Sequence, residues 1–328
     1  MSDQNVTMRE VAERAGVAVS TVSRVMSSPE RISPSTRQVV LDAARELGYR
    51  SGSLRPTNGR ARSLALVVPD ITNPFYFEII RGSQERLRDS GYTQLLIDAE
   101  ESPHAEYSAL QAVSSSCAGA VLAATRLTDE QVLDLAQRMP LVTVNRQVDG
   151  IPAVVVDTPR AYGQAVDHLV SFGHRKISYI AGPEGSATNE RRWAAVAAAA
   201  ERLGIEASRI GPFNPKANSG AAAADALLAS GATAGLAFND VLAIGMLQRF
   251  AARGVSVPDE VSLVGCDDIF GADFCSPPLT TITPPTHRVG NEATGMLLAL
   301  AAGMEPRMGR LLELPVHLTV RASTGPAK

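Results

Sequence analysis

The chain begins with helical periodicity and changes to strand-like runs near residue 64. In residues 6 to 26, VTMREVAERAGVAVSTVSRVM, apolar side chains recur three and four positions apart. Met8, Val11, Ala12 and Ala15 form one stripe, predicting a helix from Met8 to Ala15. Thr7 with Glu10 has the spacing of a capping box, Val6 with Val11 that of a hydrophobic staple, and Gly16 supplies a stop. A second helix is predicted from about Val19, with Val22, Val25 and Met26 turned back onto the first. Ser20, Thr21 and Arg24 are then left on its outer face. Ser33 and Pro34 open a third helix whose stripe is Val39, Val40, Ala43, Ala44 and Leu47, and Gly48 ends it.

Residues 50 to 63, RSGSLRPTNGRARS, lose all periodicity and read as a linker. LALVVP, from Leu64, is a continuous apolar run, as a strand buried on both faces requires. Further strands are predicted at Leu95–Asp98, Ala120–Ala124, Leu141–Asn145 and Val154–Asp157. A second series comprises Ile177–Ala181, Leu236–Asn239 and Ser262–Cys266. Helical stretches lie between them, at Phe75–Ser90, Glu106–Ser115, Asp129–Gln137, Pro159–Phe172, Arg191–Leu203, Ala221–Ser230, Val241–Arg253 and Thr286–Ala302. Two successive βαβ series predict an α/β protein with two lobes, each a doubly wound parallel sheet. Ligands of such sheets sit outside the carboxyl ends of the strands, so two facing lobes predict one cleft.

Charge separates the two regions. Residues 1 to 63 carry ten Arg, no Lys and six acids, hence +4, whereas the whole chain of 328 residues carries −3. A basic head on an acidic body predicts that the head alone meets a polyanion. The N-terminus is polar and no apolar run is long enough to span a bilayer, so neither a signal peptide nor a membrane span is expected. Cys117, Cys266 and Cys275 form no CxxC pair, which fits a reduced cytoplasm and buried thiols. No metal and no cofactor are expected: no His/Cys cluster has ligand spacing, and phosphate-loop and nucleophile-elbow motifs are missing. His174, in the GHRK turn, is expected to be a structural hydrogen-bonder. An enzyme is therefore not expected.

By spacing alone, the first two helices serve an ordinary helical hairpin and a helix-turn-helix equally well. The residues themselves go further. T7-M-R-E-V-A-x-x-A-G-V-x-x-x-T-V-S-R-V resembles the N-terminal signature of the lactose-repressor (LacI/GalR) family of bacterial transcription regulators. VVPDITNPFYFEII, HLVSFGHRKISYIAGP, FNDVLAIGML, VPDEVSLVGCDD and PPLTTI carry the resemblance through the body, whose fold in that family is of the type I periplasmic-binding-protein kind. The resemblance implies a headpiece at 1–50, a linker or hinge at 51–63 and an effector-binding, dimerising domain at 64–328. By the same analogy the chain crosses between lobes near 158, 284 and 312. Lobe one is then 64–158 plus 284–312, and lobe two 159–283 plus 313–324.

It also implies a ligand-responsive regulator, a repressor acting as a homodimer on a palindromic operator, with a sugar or polyol as effector. A solute-binding protein of periplasmic type and a nucleobase-responsive regulator are the alternatives. Arg24 is the sharpest candidate, since arginine can pair in bidentate fashion with guanine, and it aligns with a base-contacting arginine. Val19 and Ser20 align with positions that set operator choice. Thr21, Ser23, Ser33 and Thr36 are candidates for the phosphate backbone, Arg55 for phosphates or the minor groove, and Thr7 is a further DNA-binding candidate. Where the family has a hinge helix, Pro56 and Gly59 interrupt this linker, predicting an extended segment.

Candidates for the effector cleft all lie after strands: Asp70, Phe75, Tyr76, Asn145, Ser186, Thr188, Arg192, Asn239 and Asp267. Arg, Asp and Asn can fork onto vicinal hydroxyls, and aromatic faces can cover a sugar or a base. Arg192, Asn239 and Asp267 match effector-contacting positions of the family. For Asn and Asp, turn and cap chemistry is the competing explanation. Trp193, the sole tryptophan, is expected in the core.

Overall fold

The computed structural model describes residues 8–27, 32–47, 63–306 and 310–328. It divides into two compact units, Met1–Arg60 and Ala61–Lys328. In the first unit, α1 (Met8–Ala15), α2 (Val19–Ser27) and α3 (Pro34–Glu46) close over a small core of Val11, Ala12, Val22, Val25, Val40, Ala43 and Ala44. Gly16 breaks α1 from α2 by taking φ +65°, a conformation costly for any side chain. Ser33 accepts the Thr36 amide at 3.3 Å, as a cap should. The expected stripe on α3 fails at Val39, which is 50% exposed. Val40, Ala43, Ala44 and Leu47 already complete the three-and-four spacing, so Val39 is turned toward solvent.

The second unit holds two six-stranded sheets. The first contains β1 (Ser63–Val68), β2 (Thr93–Asp98), β3 (Cys117–Ala123), β4 (Leu141–Val144), β5 (Ala153–Val156) and β11 (Leu311–Leu314), in the order β11-β5-β4-β3-β1-β2. The second contains β6 (Lys176–Ile180), β7 (Glu206–Ile210), β8 (Ala234–Ala237), β9 (Ser262–Cys266), β10 (Thr280–Thr283) and β12 (His317–Thr319), in the order β12-β10-β9-β8-β6-β7. Every pairing is parallel except that of β12 on β10.

Helices α4 (Phe75–Leu87), α5 (Pro103–Val113), α6 (Asp129–Ala136) and α11 (Thr286–Ala301) serve the first sheet. Helices α7 (Thr158–Ser171), α8 (Ala187–Leu203), α9 (Gly220–Ser230) and α10 (Asp240–Ala252) serve the second. The central strands are buried along their length, which is why their apolar runs do not alternate.

The chain crosses between lobes three times. The first crossing lies between β5 and α7 and the second between β10 and α11. The third does not fall near 312. Leu311 to Leu314 pair in register with Ala153 to Val156, so all of β11 belongs to lobe one and the crossing follows at 315–316. Four strands escaped the sequence pattern: β7, β10, β11 and β12. Three are edge strands, short or half-exposed, and β10 reads TTIT, without a long apolar run.

His174 is buried. Its ring nitrogens lie 2.8 Å from the Thr233 hydroxyl, 3.1 Å from the Ser262 hydroxyl and 3.1 Å from the Gly325 carbonyl, tying the turn before β6 to the C-terminal segment. Trp193 stacks on Tyr179 at 6.1 Å against the lobe-two core.

Candidate functional site

In each sheet the strand order reverses beside its first strand, at β1/β3 in one lobe and β6/β8 in the other. Such switch points open a crevice at the carboxyl ends of the strands. The two crevices face each other across a cavity that is open to solvent. Pro69 after β1, Ala124 to Arg126 after β3, Pro183 after β6 and Phe238 and Asn239 after β8 all line it.

Eight of the nine cleft candidates line this cavity: Phe75, Tyr76, Asn145, Ser186, Thr188, Arg192, Asn239 and Asp267. Asp70 sits beside it. Its Oδ1 accepts the Thr72 amide at 2.8 Å and hydroxyl at 2.6 Å, and its Oδ2 meets Lys216 Nζ of the other lobe at 3.3 Å. Burial pushes the Asp70 carboxyl up, but the Thr72 bonds and Lys216 together hold it below its ordinary value.

Arg192 is buried, only 5% exposed. It donates to the Phe238 carbonyl at 2.5 Å and to the Thr158 hydroxyl at 3.4 Å, and it lies 3.8 Å from Asp267 Oδ1. Its guanidinium covers the rings of Phe238 at 4.9 Å and Tyr162 at 5.5 Å. Asp267 follows β9 at φ +115°, and burial raises its carboxyl to about 6 against the pull of Arg192. Beneath it, Asp240 is fully buried. Burial, with the Asp267 charge added, lifts it to about 7, although Thr281 and the Ile269 amide both donate to it. Tyr76 lies among Asp267, Arg126, Arg192 and Asp70. Burial, then the Asp267 charge, pushes its phenol well up, so it presents a neutral hydroxyl.

Several candidates have local duties as well. Ser186 caps α8 by accepting the Asn189 amide at 3.3 Å, and Asn239 caps α10 by accepting the Leu242 amide at 3.0 Å. Asn145 accepts the Val156 amide at 3.2 Å, and its carbonyl receives Thr188 at 3.5 Å across the cleft. The competing explanation by cap chemistry therefore applies to Asn239, whose Oδ1 is already engaged.

Glu101, Arg126 and Phe238 are among the lining residues outside that set of candidates. Arg126 follows β3 just as Asn145 follows β4, so the strand-end rule could have found it. Glu101 follows β2 at the same distance, and a left-handed backbone angle accompanies its place in the cleft. The non-glycine residues at positive φ among the described residues are Glu100, Glu101, Ala124, Asn145, Asp267 and Asp268. All follow strands at the cleft, and four of them line it. Strained backbone gathered in one place is the usual mark of a functional site.

On the headpiece, Val19 is 45% exposed, Ser20 is exposed and Thr21 is half-buried. The Ser33 hydroxyl donates to Thr36 at 2.8 Å while capping α3. Ser23 and Arg24 lie on α2, but their side chains fall outside the described residues, as do Thr7, Arg55 and the whole linker.

Comparison with known proteins settles what the two units are. Residues 7–51 match the model for bacterial regulatory proteins of the lacI family, and residues 166–324 match the periplasmic binding protein-like domain. The HTH-type transcriptional regulator DegA of Bacillus subtilis is 33% identical over 98% of this chain and 98% of its own. The HTH-type transcriptional repressor CytR of Escherichia coli is 33% identical over 97% and 96%.

The chain belongs to the LacI family of bacterial regulatory proteins.

The solved lac repressor dimer bound to operator and an anti-inducer superposes with a TM-score of 0.81, at 26% identity over 98% of this chain and 100% of that one. The transcriptional regulator CelR in complex with cellobiose gives 0.71 at 31% identity, over 97% and 100%. This LacI-family chain is a DNA-binding transcriptional regulator that answers to a small effector. Its relatives are transcriptional regulators rather than enzymes. Among the described residues, no helix is long and apolar enough to cross a membrane.

Proposed function

We propose that this regulator represses transcription in the cytoplasm as a homodimer on a palindromic operator, and that a sugar or polyol in the interlobe cleft switches it. On the headpiece, Val19, Ser20 and Arg24 read base edges, while Thr7, Thr21, Ser23, Ser33 and Arg55 contact phosphates. Two-fold pairing of such headpieces matches a two-fold operator. In the cleft, Phe75 and Tyr76 cover the ligand, and Asn145, Ser186, Thr188, Arg192, Asn239 and Asp267 hold its hydroxyls, with Asp70 bracing the mouth. The role of the site is binding, not catalysis.

The Arg192–Asp267 pair carries this reading. A guanidinium and a carboxylate 3.8 Å apart, both buried, with the carboxylate on a strained backbone, form a fork made for vicinal hydroxyls. A nucleoside or nucleobase is the second reading, favoured by the aromatic faces of Phe75, Tyr76 and Phe238 along the cavity.

A thermal-shift screen of sugars, polyols, nucleosides and nucleobases distinguishes the two, because a ligand stabilises the fold it binds. The screen is followed by gel-shift titration on genomic fragments with each ligand found. Asp267→Ala removes an acceptor for two hydroxyls, at roughly 1–3 kcal/mol each, and is expected to abolish the ligand response while sparing operator binding. An unchanged response in Asp267→Ala would remove the cleft from the reading.

A further inference from the structure

The charged residues lining the cavity are Glu101, Arg126, Arg146, Arg192 and Asp267, and each of the three arginines has its own carboxylate. Arg192 faces Asp267 at 3.8 Å in lobe two, and Arg146 meets Asp129 at 2.7 Å. Arg126 is in ion-pair contact with Glu101 on the opposite wall, in lobe one, and also donates to the Glu101 carbonyl at 3.3 Å. At the mouth, Lys216 meets Asp70 at 3.3 Å. A cleft built for a phosphate or carboxylate would leave a guanidinium or ammonium unpaired for it.

The Arg126–Glu101 pair is held in place deliberately. Glu101 takes φ +59° and donates its amide to the Pro69 carbonyl at 2.7 Å, which turns it into the cavity. The Arg126 amide is anchored at 3.3 Å by Glu106, a buried carboxylate on α5. The pair belongs to lobe one and Arg192 and Asp267 to lobe two, all lining the same cavity, and the Tyr76 phenol feels the charges of Arg126, Arg192 and Asp267.

We propose that Arg126 and Glu101 form a second hydroxyl-reading pair, so that the effector is an uncharged, hydroxyl-rich molecule gripped from both lobes, and that phosphorylated molecules are excluded. The proposal rests on the cleft being the effector site and adds the charge and the two-ended contact of the ligand. Bidentate donors and acceptors on both walls match hydroxyls at both ends of a small ring. A phosphate ester entering the cleft would have to displace Glu101 or Asp267 from its arginine, leaving a carboxylate desolvated beside an anion.

Inorganic phosphate is the probe, titrated calorimetrically into the full chain. Four proteins are compared: wild type, Arg126→Gln, Glu101→Gln and the double variant. Any phosphate bound by the headpiece is common to all four and cancels. Wild type and Arg126→Gln are expected to give the same isotherm. Glu101→Gln frees a guanidinium and is expected to bind phosphate at least about tenfold more tightly, a gain lost in the double variant. Glu101→Asn serves as a second version, because asparagine tolerates positive φ.

Phosphate binding by wild type that disappears in Arg126→Gln would overturn the proposal. So would a Glu101→Gln or Glu101→Asn isotherm no different from wild type. Either result leaves the cleft as a candidate effector site, whereas an intact ligand response in Asp267→Ala would not. In the same protein, ribose against ribose 5-phosphate and glucose against glucose 6-phosphate give a second check by thermal shift. A larger shift from either ester contradicts the proposal.

Discussion

Arg192→Ala and Asp267→Asn should move the stability of this regulator in different directions, although the two residues face each other. Removing Arg192 takes a buried cation from Asp267, the donor from the Phe238 carbonyl and Thr158 hydroxyl, and the cover from two rings. Breaking a buried pair from one side costs about 3–5 kcal/mol, because the remaining charge is stranded.

Asp267 is different, because burial outweighs Arg192 and lifts its carboxyl from 3.8 to about 6. A raised carboxyl means that the folded state favours the protonated form. Its contribution is most favourable at low pH and is lost as pH rises from about 4 through about 6. Two units correspond to roughly 3 kcal/mol of destabilisation at about pH 8. Asparagine has the same shape and no charge to bury. Asp267→Asn is therefore expected to be neutral or stabilising at about pH 8, by at most that amount, with the gain fading at about pH 5.

Urea unfolding followed by the fluorescence of Trp193, the single tryptophan and Arg192's neighbour on α8, reads this directly. A loss of stability in Asp267→Asn as large as in Arg192→Ala, or a difference from wild type that is the same at both pH values, would refute this.

Other expectations follow from separate parts of the molecule. A Cβ at Gly290 would come within 2.0 Å of the Ile79 carbonyl, so Gly290→Ala must push α11 off α4; a loss of about 1–3 kcal/mol in denaturant melts is expected. Arg24→Ala should weaken operator binding by about 1–3 kcal/mol and relax preference at one base pair, as a selection from randomised sites would reveal; a uniform loss on all sequences would make it a phosphate contact instead. Light scattering of residues 64–328 without DNA should give a dimer at micromolar concentration, and a monomer would remove the two-fold operator from the proposal.

Much of the fold was legible because its signals are local. LALVV and AVVV read as buried parallel strands, and Gly16 ends its helix in the left-handed conformation its position suggests. What was not legible depends on partners far away in sequence. Leu311–Leu314 is a strand only because β5 lies beside it, and that pairing moved the third crossing beyond 312.

The cleft divides the same way. Arg192 and Asp267 stand at strand ends and helix starts visible in the pattern. Glu101 and Arg126 also follow strands, but their pairing across 25 residues and the left-handed angle at Glu101 are recorded by no periodicity. Asn239 shows the reverse, since the residue type that suggests a ligand also suits the cap it forms on α10.

The central claim is that occupancy of the cleft and operator binding are coupled, and coupling must be reciprocal. Operator affinity is to be measured with and without saturating effector, and effector affinity with and without saturating operator, on the same full-length protein. The two ratios are expected to agree, at about 5- to 150-fold, and both to collapse to one in Asp267→Ala. An operator affinity that saturating effector leaves unchanged would contradict the account.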